Sequence, residues 1–314
     1  MPGSQWRIGV VGAGGVGGFF GARLARRGHA VSFVARGAHL RAIRERGLAV
    51  WSSLGDFTVR AAADADPSAI GPVDLVLFTV KTYDNATAIP LIAPMVGQDT
   101  IVLTLQNGID SVDEIAAIVG DGRVLGGSTF VAANIRAPGL IQQIGTHRSI
   151  LFGEVFGARA AVSPRVEALA AVLADADIQV QTFADARVPL WEKFVYLVPF
   201  SGFTAAARLA AGPVWGDQFV REQFIATAEE VKAVARAEGV TFAEDFHERF
   251  LHYMDTLPGT VRSSMLVDVL QGKRIEVEAV QGALVRRAAK HGVPVPRTSM
   301  LYAAMKLHAH GRMT

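Results

Sequence analysis

Ile8-Gly9-Val10-Val11-Gly12-Ala13-Gly14-Gly15-Val16-Gly17 is the stretch that decides the fold of this 314-residue chain. A short apolar run, the pattern of a buried strand, breaks into glycines and leads directly into residues 19–27, which read as a helix. G-x-G-x-x-G placed between a strand and a helix is a phosphate-binding turn. Gly12 permits the tight bend, Gly14 lets the backbone approach a diphosphate, and Gly17 lets helix and strand pack closely. The helix start adds unpaired N–H groups and partial positive charge, so Ala13, Gly15 and Val16 belong to the same cofactor-binding turn. The glycines alone would equally suit a flexible loop; their position separates the two readings.

Downstream, Ala30-Val31-Ser32-Phe33-Val34, residues 73–80 and residues 100–105 repeat the short apolar run between helical patterns. That alternation predicts an α/β fold, an N-terminal Rossmann-type, doubly wound parallel sheet. The second strand ends in Ala35-Arg36, about twenty residues beyond the glycines, where an NAD-specific domain carries an acid for the ribose. Arg36 pairs instead with a 2′-phosphate, which favours NADP, and His39 and Arg41 are near enough to assist. Lys81 and Asn107 follow two further strand ends and should face the cofactor, although Asn107-Gly108 is also an ordinary turn dipeptide.

Past Ala184 the strand-like runs stop, and helical patterns cover 188–207, 217–238, 242–256, 261–270 and 275–290. Two domains are expected: 1–184 as the NADP-binding Rossmann domain and 185–314 as an all-helical substrate and catalytic domain. Half the residues are hydrophobic and 19% are charged, the balance of a folded chain. The net charge of +2, spread without basic blocks, gives no reason to expect a nucleic-acid partner. No cysteine is present, which excludes disulfides, zinc–thiolate sites and thiol catalysis. The start, Met1-Pro2-Gly3-Ser4-Gln5-Trp6-Arg7, lacks the long uninterrupted apolar run of a secretory leader, and no run is long enough to span a membrane. A cytoplasmic protein is expected. The histidines, among them His247, His252, His291, His308 and His310, show no metal-ligand spacing, so no catalytic metal is expected. Glu229-Glu230 and Glu244-Asp245 read as solvated helix faces.

Further markers extend along the chain: Leu190-Trp191-Glu192-Lys193, Ser263-Ser264-Met265, Ile275-Glu276, residues 282–288, and His291-Gly292-Val293-Pro294-Val295-Pro296. With the glycine turn, Arg36, Val80-Lys81 and Gln106-Asn107-Gly108, the chain resembles the ketopantoate reductase (2-dehydropantoate 2-reductase) family over nearly its whole length. The resemblance implies NADPH-dependent reduction of a 2-keto acid, the step that serves pantothenate synthesis in bacteria, with the second domain completing the active site. It implies Lys193 as proton donor to the ketone oxygen and Glu276 as the acid that orders cofactor and substrate. It places Lys81, Asn107 and a backbone contact at Ala133 on the cofactor, and Ser264, with Asn107 and Ser201, on the substrate. A small-molecule 2-keto acid is the implied partner, and a homodimer is compatible with it.

Chemistry supports the lysine independently. Hydride attack builds negative charge on the ketone oxygen, and a desolvated ammonium both stabilises that charge and delivers a proton. The sequence departs from the family four and eight residues after the lysine, where Leu197 and Ser201 replace asparagines, and again near Ala211. A substrate more apolar than ketopantoate is therefore expected. Two other readings remain at this stage: a related hydroxyacid dehydrogenase working in the oxidising direction, and an NADP-binding redox sensor without turnover.

Overall fold

The computed structural model describes residues 5–312. Met1–Ser4, where the leader expectation falls in part, and Met313–Thr314 lie outside the described residues. The chain divides into two units. The first takes residues up to Gln106 together with Ser111–Arg187, and the second takes Asn107–Asp110 and everything from Val188. The second unit thus includes a short segment expected in the first domain. Gly108 holds φ +93° with no room for a side chain beside the Ala279 carbonyl, and Asp110 accepts from Arg287 at 2.8 Å. Those attachments place the segment by contacts rather than by chain order.

The first unit is a single ten-stranded sheet. Its strands are β1 (Arg7–Val11), β2 (Ala30–Val34), β3 (Leu48–Ser52), β4 (Phe57–Val59), β5 (Ala62–Asp64), β6 (Val73–Phe78), β7 (Val96–Thr104), β8 (Val124–Ala137), β9 (Leu140–Glu154) and β10 (Gln179–Phe183). Its helices are α1 (Gly15–Arg27), α2 (Gly37–Arg46), α3 (Asn85–Leu91), α4 (Ser111–Val119) and α5 (Pro164–Asp175). Strands β5-β2-β1-β6-β7-β8 run parallel, and Val10 pairs with Phe33 on one side and Leu77 on the other. Those three residues are fully buried, each worth roughly 1.5–3 kcal/mol of apolar transfer. The chain crosses from β5 to β6 past β1, so the strand order reverses between β1 and β6. Ligands in open sheets of this kind sit at that reversal, outside the carboxyl ends of the strands.

The sheet is mixed rather than purely parallel. β8 and β9 form a long antiparallel ribbon, β3 and β10 each pair with β9, and β4 pairs antiparallel with β3. The outer half of β8, from Phe130 to Ala137, is exposed or half-buried throughout, so it carries no clean apolar alternation that would mark a strand.

The second unit contains α6 (Arg187–Ala207, from its second residue), α7 (Ala211–Gly216), α8 (Gln218–Ala237), α9 (Phe246–Thr256), α10 (Ser264–Leu270), α11 (Ala283–His291) and α12 (Pro296–Lys306), and no strand among its described residues. Phe224 anchors its core, with Trp215 edge-on at 5.4 Å and Phe203 stacked at 5.8 Å. The expected helix over 261–270 starts later, because Val261 and Gly259 carbonyls accept from Ala211 and Gly212. The expected helix over 275–290 opens with a π-turn at Glu278–Gly282 before α11. Helix α12 was not expected from the sequence. Its first N–H groups are capped from far away: Glu230 of α8 accepts from Arg297 N, Thr298 N and Thr298 Oγ1 at 2.8–2.9 Å. Glu230 is therefore not on a solvated face; it is buried and holds a helix start.

Candidate functional site

The glycine turn closes over the carboxyl ends of β1 and β6. Gly12 holds φ +96°, and a Cβ there would lie 2.7 Å from the Val80 nitrogen. A Cβ at Gly17 would collide with the Thr79 hydroxyl and the Gly12 carbonyl, and one at Gly15 with the Ala133 backbone. Around Gly14, by contrast, the space is open, and no side chain caps α1. Crowding on three glycines fixes the turn, while the open one leaves backbone beside unfilled space. That is the cradle a diphosphate needs. Ala13 is buried and Val16 half-buried within it, and Ala133 on β8 comes to the same turn.

Thr79, which the sequence did not single out as functional, donates to the Gly12 carbonyl at 2.8 Å and ties the turn to the end of β6. Its only sequence signal is its place directly after a buried strand. His39 does a different job from the one expected of it. Its Nδ1 accepts from Gly139 N at 3.0 Å, so Nε2 carries the proton and donates to the Ala13 carbonyl at 2.8 Å. Burial lowers its pKa, with the Ala13 bond opposing, and a neutral ring with both nitrogens engaged is a brace rather than a phosphate ligand. Arg36 is exposed at the carboxyl end of β2, at the start of α2, and no carboxylate pairs with it among the described residues. Lys81 follows β6 at the head of a short 3-10 turn. Beside it, buried Gln106 donates to the Val80 carbonyl at 2.8 Å and to Asn85 Oδ1 at 2.6 Å, which locks the ends of β6 and β7 together.

In the second unit, Asn107, Leu197, Ser201, Ser264, Met265 and Glu276 line one narrow cleft. Ser264 opens α10, whose N-cap Ser263 accepts from Leu266 N at 3.0 Å and pairs with the Thr204 hydroxyl at 2.7 Å. Lys193 lies on α6 one turn before Leu197. Its side chain is only half-buried by exposed surface, yet protein surrounds the ammonium. That desolvation lowers its pKa from 10.5 to about 8, and the Glu276 charge acts in the opposite direction. Glu276 itself is buried. The neighbouring Glu192 is taken by Arg249 at 3.0 Å.

Ser201 lines the cleft, but its hydroxyl is already committed. It donates to the Leu197 carbonyl at 2.7 Å and accepts from Gln281 Nε2 at 2.9 Å. Gln281, fully buried on the π-turn, was missed by sequence reasoning; a glutamine within a helical pattern carries no signal of its own. No group of three His, Cys, Asp or Glu side chains among the described residues could hold a metal ion, and no helix is long and apolar enough to cross a membrane.

Comparison with known proteins places this arrangement. The chain belongs to the ketopantoate reductase family: the family model described as "Ketopantoate reductase PanE/ApbA" matches residues 8–157, and its C-terminal counterpart matches residues 185–309. It is accordingly an oxidoreductase of the class acting on CH–OH groups. Among curated relatives, the 2-dehydropantoate 2-reductase of Mesorhizobium japonicum is 30% identical, over 96% of this chain and 97% of its own length. That of Halobacterium salinarum is 33% identical, over 92% and 94%. The crystal structure of 2-dehydropantoate 2-reductase from Geobacter metallireducens superposes with a TM-score of 0.88 at 33% identity, covering 96% of this chain and 99% of that one.

Proposed function

We propose that this chain reduces a 2-keto acid to the corresponding 2-hydroxy acid with NADPH, the type of reaction named for its 2-dehydropantoate 2-reductase relatives. The observation that carries the proposal is Lys193, an ammonium held near a pKa of 8 beside the buried carboxylate of Glu276. The residues of the first unit fit a nicotinamide dinucleotide: the open backbone at Gly14 takes the diphosphate, and unpaired Arg36 takes the 2′-phosphate. Lys81, Ala133 and Asn107 are its further contacts. The cofactor, when bound, supplies the hydride.

The rest falls to side chains of this protein. As negative charge develops on the ketone oxygen, the Lys193 ammonium stabilises it and transfers one proton to it, leaving a neutral amine and an alcohol. Glu276 favours the protonated lysine at the start of each cycle. Ser264 and Asn107 supply hydrogen-bonding groups for the substrate's carboxylate. Use of NADPH is consistent with the cytoplasmic location we infer for the protein.

A second observation narrows the substrate. The Ser201 hydroxyl is spent on Leu197 and Gln281, and Leu197 and Met265 present apolar surface to the cleft. Ketopantoate carries a hydroxymethyl group that needs a partner once buried, and a missing one costs about 1–3 kcal/mol. We therefore favour a 2-keto acid with an apolar side chain. Parallel kinetics of NADPH oxidation on ketopantoate and 2-ketoisovalerate, which lacks that hydroxymethyl group, test both statements. The expected result is turnover of both with 2-ketoisovalerate preferred. Preference for ketopantoate by about a hundredfold, on the scale of that penalty, would overturn the narrower reading. Silence on every 2-keto acid would overturn the enzymatic one and favour an NADP-binding sensor.

A further inference from the structure

A second cavity, of about 270 Å³, opens in the helical unit and shares no lining residue with the cleft that holds Glu276. Arg208, Lys273, His308 and Arg312 line it, together with Gly272 and Gly311, and no carboxylate does. None of these four side chains makes an ion pair or hydrogen bond among the described residues. Elsewhere in this unit Arg221 pairs with Asp255 at 2.9 Å, Arg249 with Glu192 at 3.0 Å, and Arg287 with Asp110 at 2.8 Å.

Cations also gather at helix ends simply to neutralise exposed carbonyls, and α6, α10 and α12 all end here. Two carbonyls at each of these helix ends already have backbone partners. Arg208 N and Leu209 N donate to Ala205 and Thr204, Gly272 N and Lys273 N to Val269 and Asp268, and His308 N and Ala309 N to Met305 and Lys306. The side-chain charges are left over. Two features concern the arginines at the cavity. Arg208 is held at φ +56°, a left-handed conformation unfavourable for a side-chain-bearing residue. The aliphatic part of Arg312 lies across Gly272, where any Cβ would strike it, while Arg312 N donates to the Gly272 carbonyl at 3.2 Å.

We propose that this cavity binds a multiply charged phosphate-type anion, a diphosphate or phosphate monoester of a small soluble metabolite, at a site separate from the one that performs reduction. Guanidinium groups suit such oxyanions because their forked N–H donors match adjacent oxygens. The cavity lies near the lower limit of small-ligand pockets, so it accepts a phosphorylated fragment rather than a whole dinucleotide.

The test is calorimetric titration of the full-length protein with inorganic pyrophosphate, at physiological salt and with NADP present at saturation so that the glycine turn is occupied. One saturable site is expected, weakened at least tenfold in an Arg208→Gln/Arg312→Gln double variant and measurably in Lys273→Gln. All three side chains are exposed, so unchanged melting temperatures are expected and checked alongside. Absence of saturable binding, equal binding by the double variant, or a titration that sodium acetate reproduces would each overturn the proposal.

Discussion

The glycine turn and the Lys193 cleft are built in opposite ways. The turn is made by neighbours in sequence, with residues 12–17 supplying its bends and its open backbone, and Val34, Thr79, Val80, His39 and Ala133 bracing it from elsewhere. The cleft is made of residues far apart in the chain, Asn107, Leu197, Ser264 and Glu276, with Lys193 one helical turn before Leu197 and electrostatically coupled to Glu276. In the turn, the proposed binding rests on the shape of the backbone, and shape is encoded by glycine spacing. In the cleft, the proposed chemistry rests on one side chain, whose pKa is set by what surrounds it.

Removing a single group should therefore hurt the cleft most. Lys193→Ala is expected to bind NADPH almost normally and to lose roughly 10²–10⁴-fold in reduction rate, the contribution typical of a general acid. Cofactor affinity by fluorescence titration and turnover on the same preparation check this. A variant that keeps most of its turnover would move the proton donor elsewhere and remove the contrast between the two regions.

Long-range construction of the helical unit can be probed without touching the chemistry. Glu230→Ala leaves Arg297 N and Thr298 N at the start of α12 without their acceptor, at an expected cost of about 1–3 kcal/mol in urea unfolding. An unchanged unfolding midpoint would show that α12 is held by packing alone.

The smallest expected effect belongs to the nucleotide end. Arg36 is exposed, so its preference for NADPH over NADH should amount to about one tenfold step, ~1.4 kcal/mol. Arg36→Glu should erase or reverse it by facing the 2′-phosphate with a like charge. Equal affinity of the unaltered protein for both cofactors would contradict the role given to Arg36.

The same contrast explains what the sequence reveals. Strands β1, β2, β6 and β7 are short apolar runs buried on both sides, and the turn after β1 has a spacing that few other structures need. They are legible because their causes are local. The β8–β9 ribbon is not, since its outer half is held by cross-strand hydrogen bonds rather than by an apolar face. Helix α12 depends on a carboxylate that reads as solvated until Thr298 is placed beside it. Asn107 sits at a strand end in the sequence, yet Gly108 and Asp110 tie its segment to the helical unit. Lys193 and Glu276 stand out only through family resemblance, because a lone lysine on a helix carries no mark of the desolvation that changes its pKa. The commitment of Ser201 to Leu197 and Gln281 is visible only in the fold.

That desolvation offers the most direct test of the account. Lys193 donates a proton only when charged, and burial brings its pKa down to about 8 while Glu276 opposes the shift. The single-turnover rate of NADPH oxidation by a 2-keto acid should therefore fall as pH rises through about 8, since a growing fraction of the enzyme holds a neutral amine. Glu276→Gln removes the opposing charge, so the fall should begin at lower pH. A rate that stays level or climbs through the alkaline range in the unaltered protein would contradict Lys193 as the proton donor.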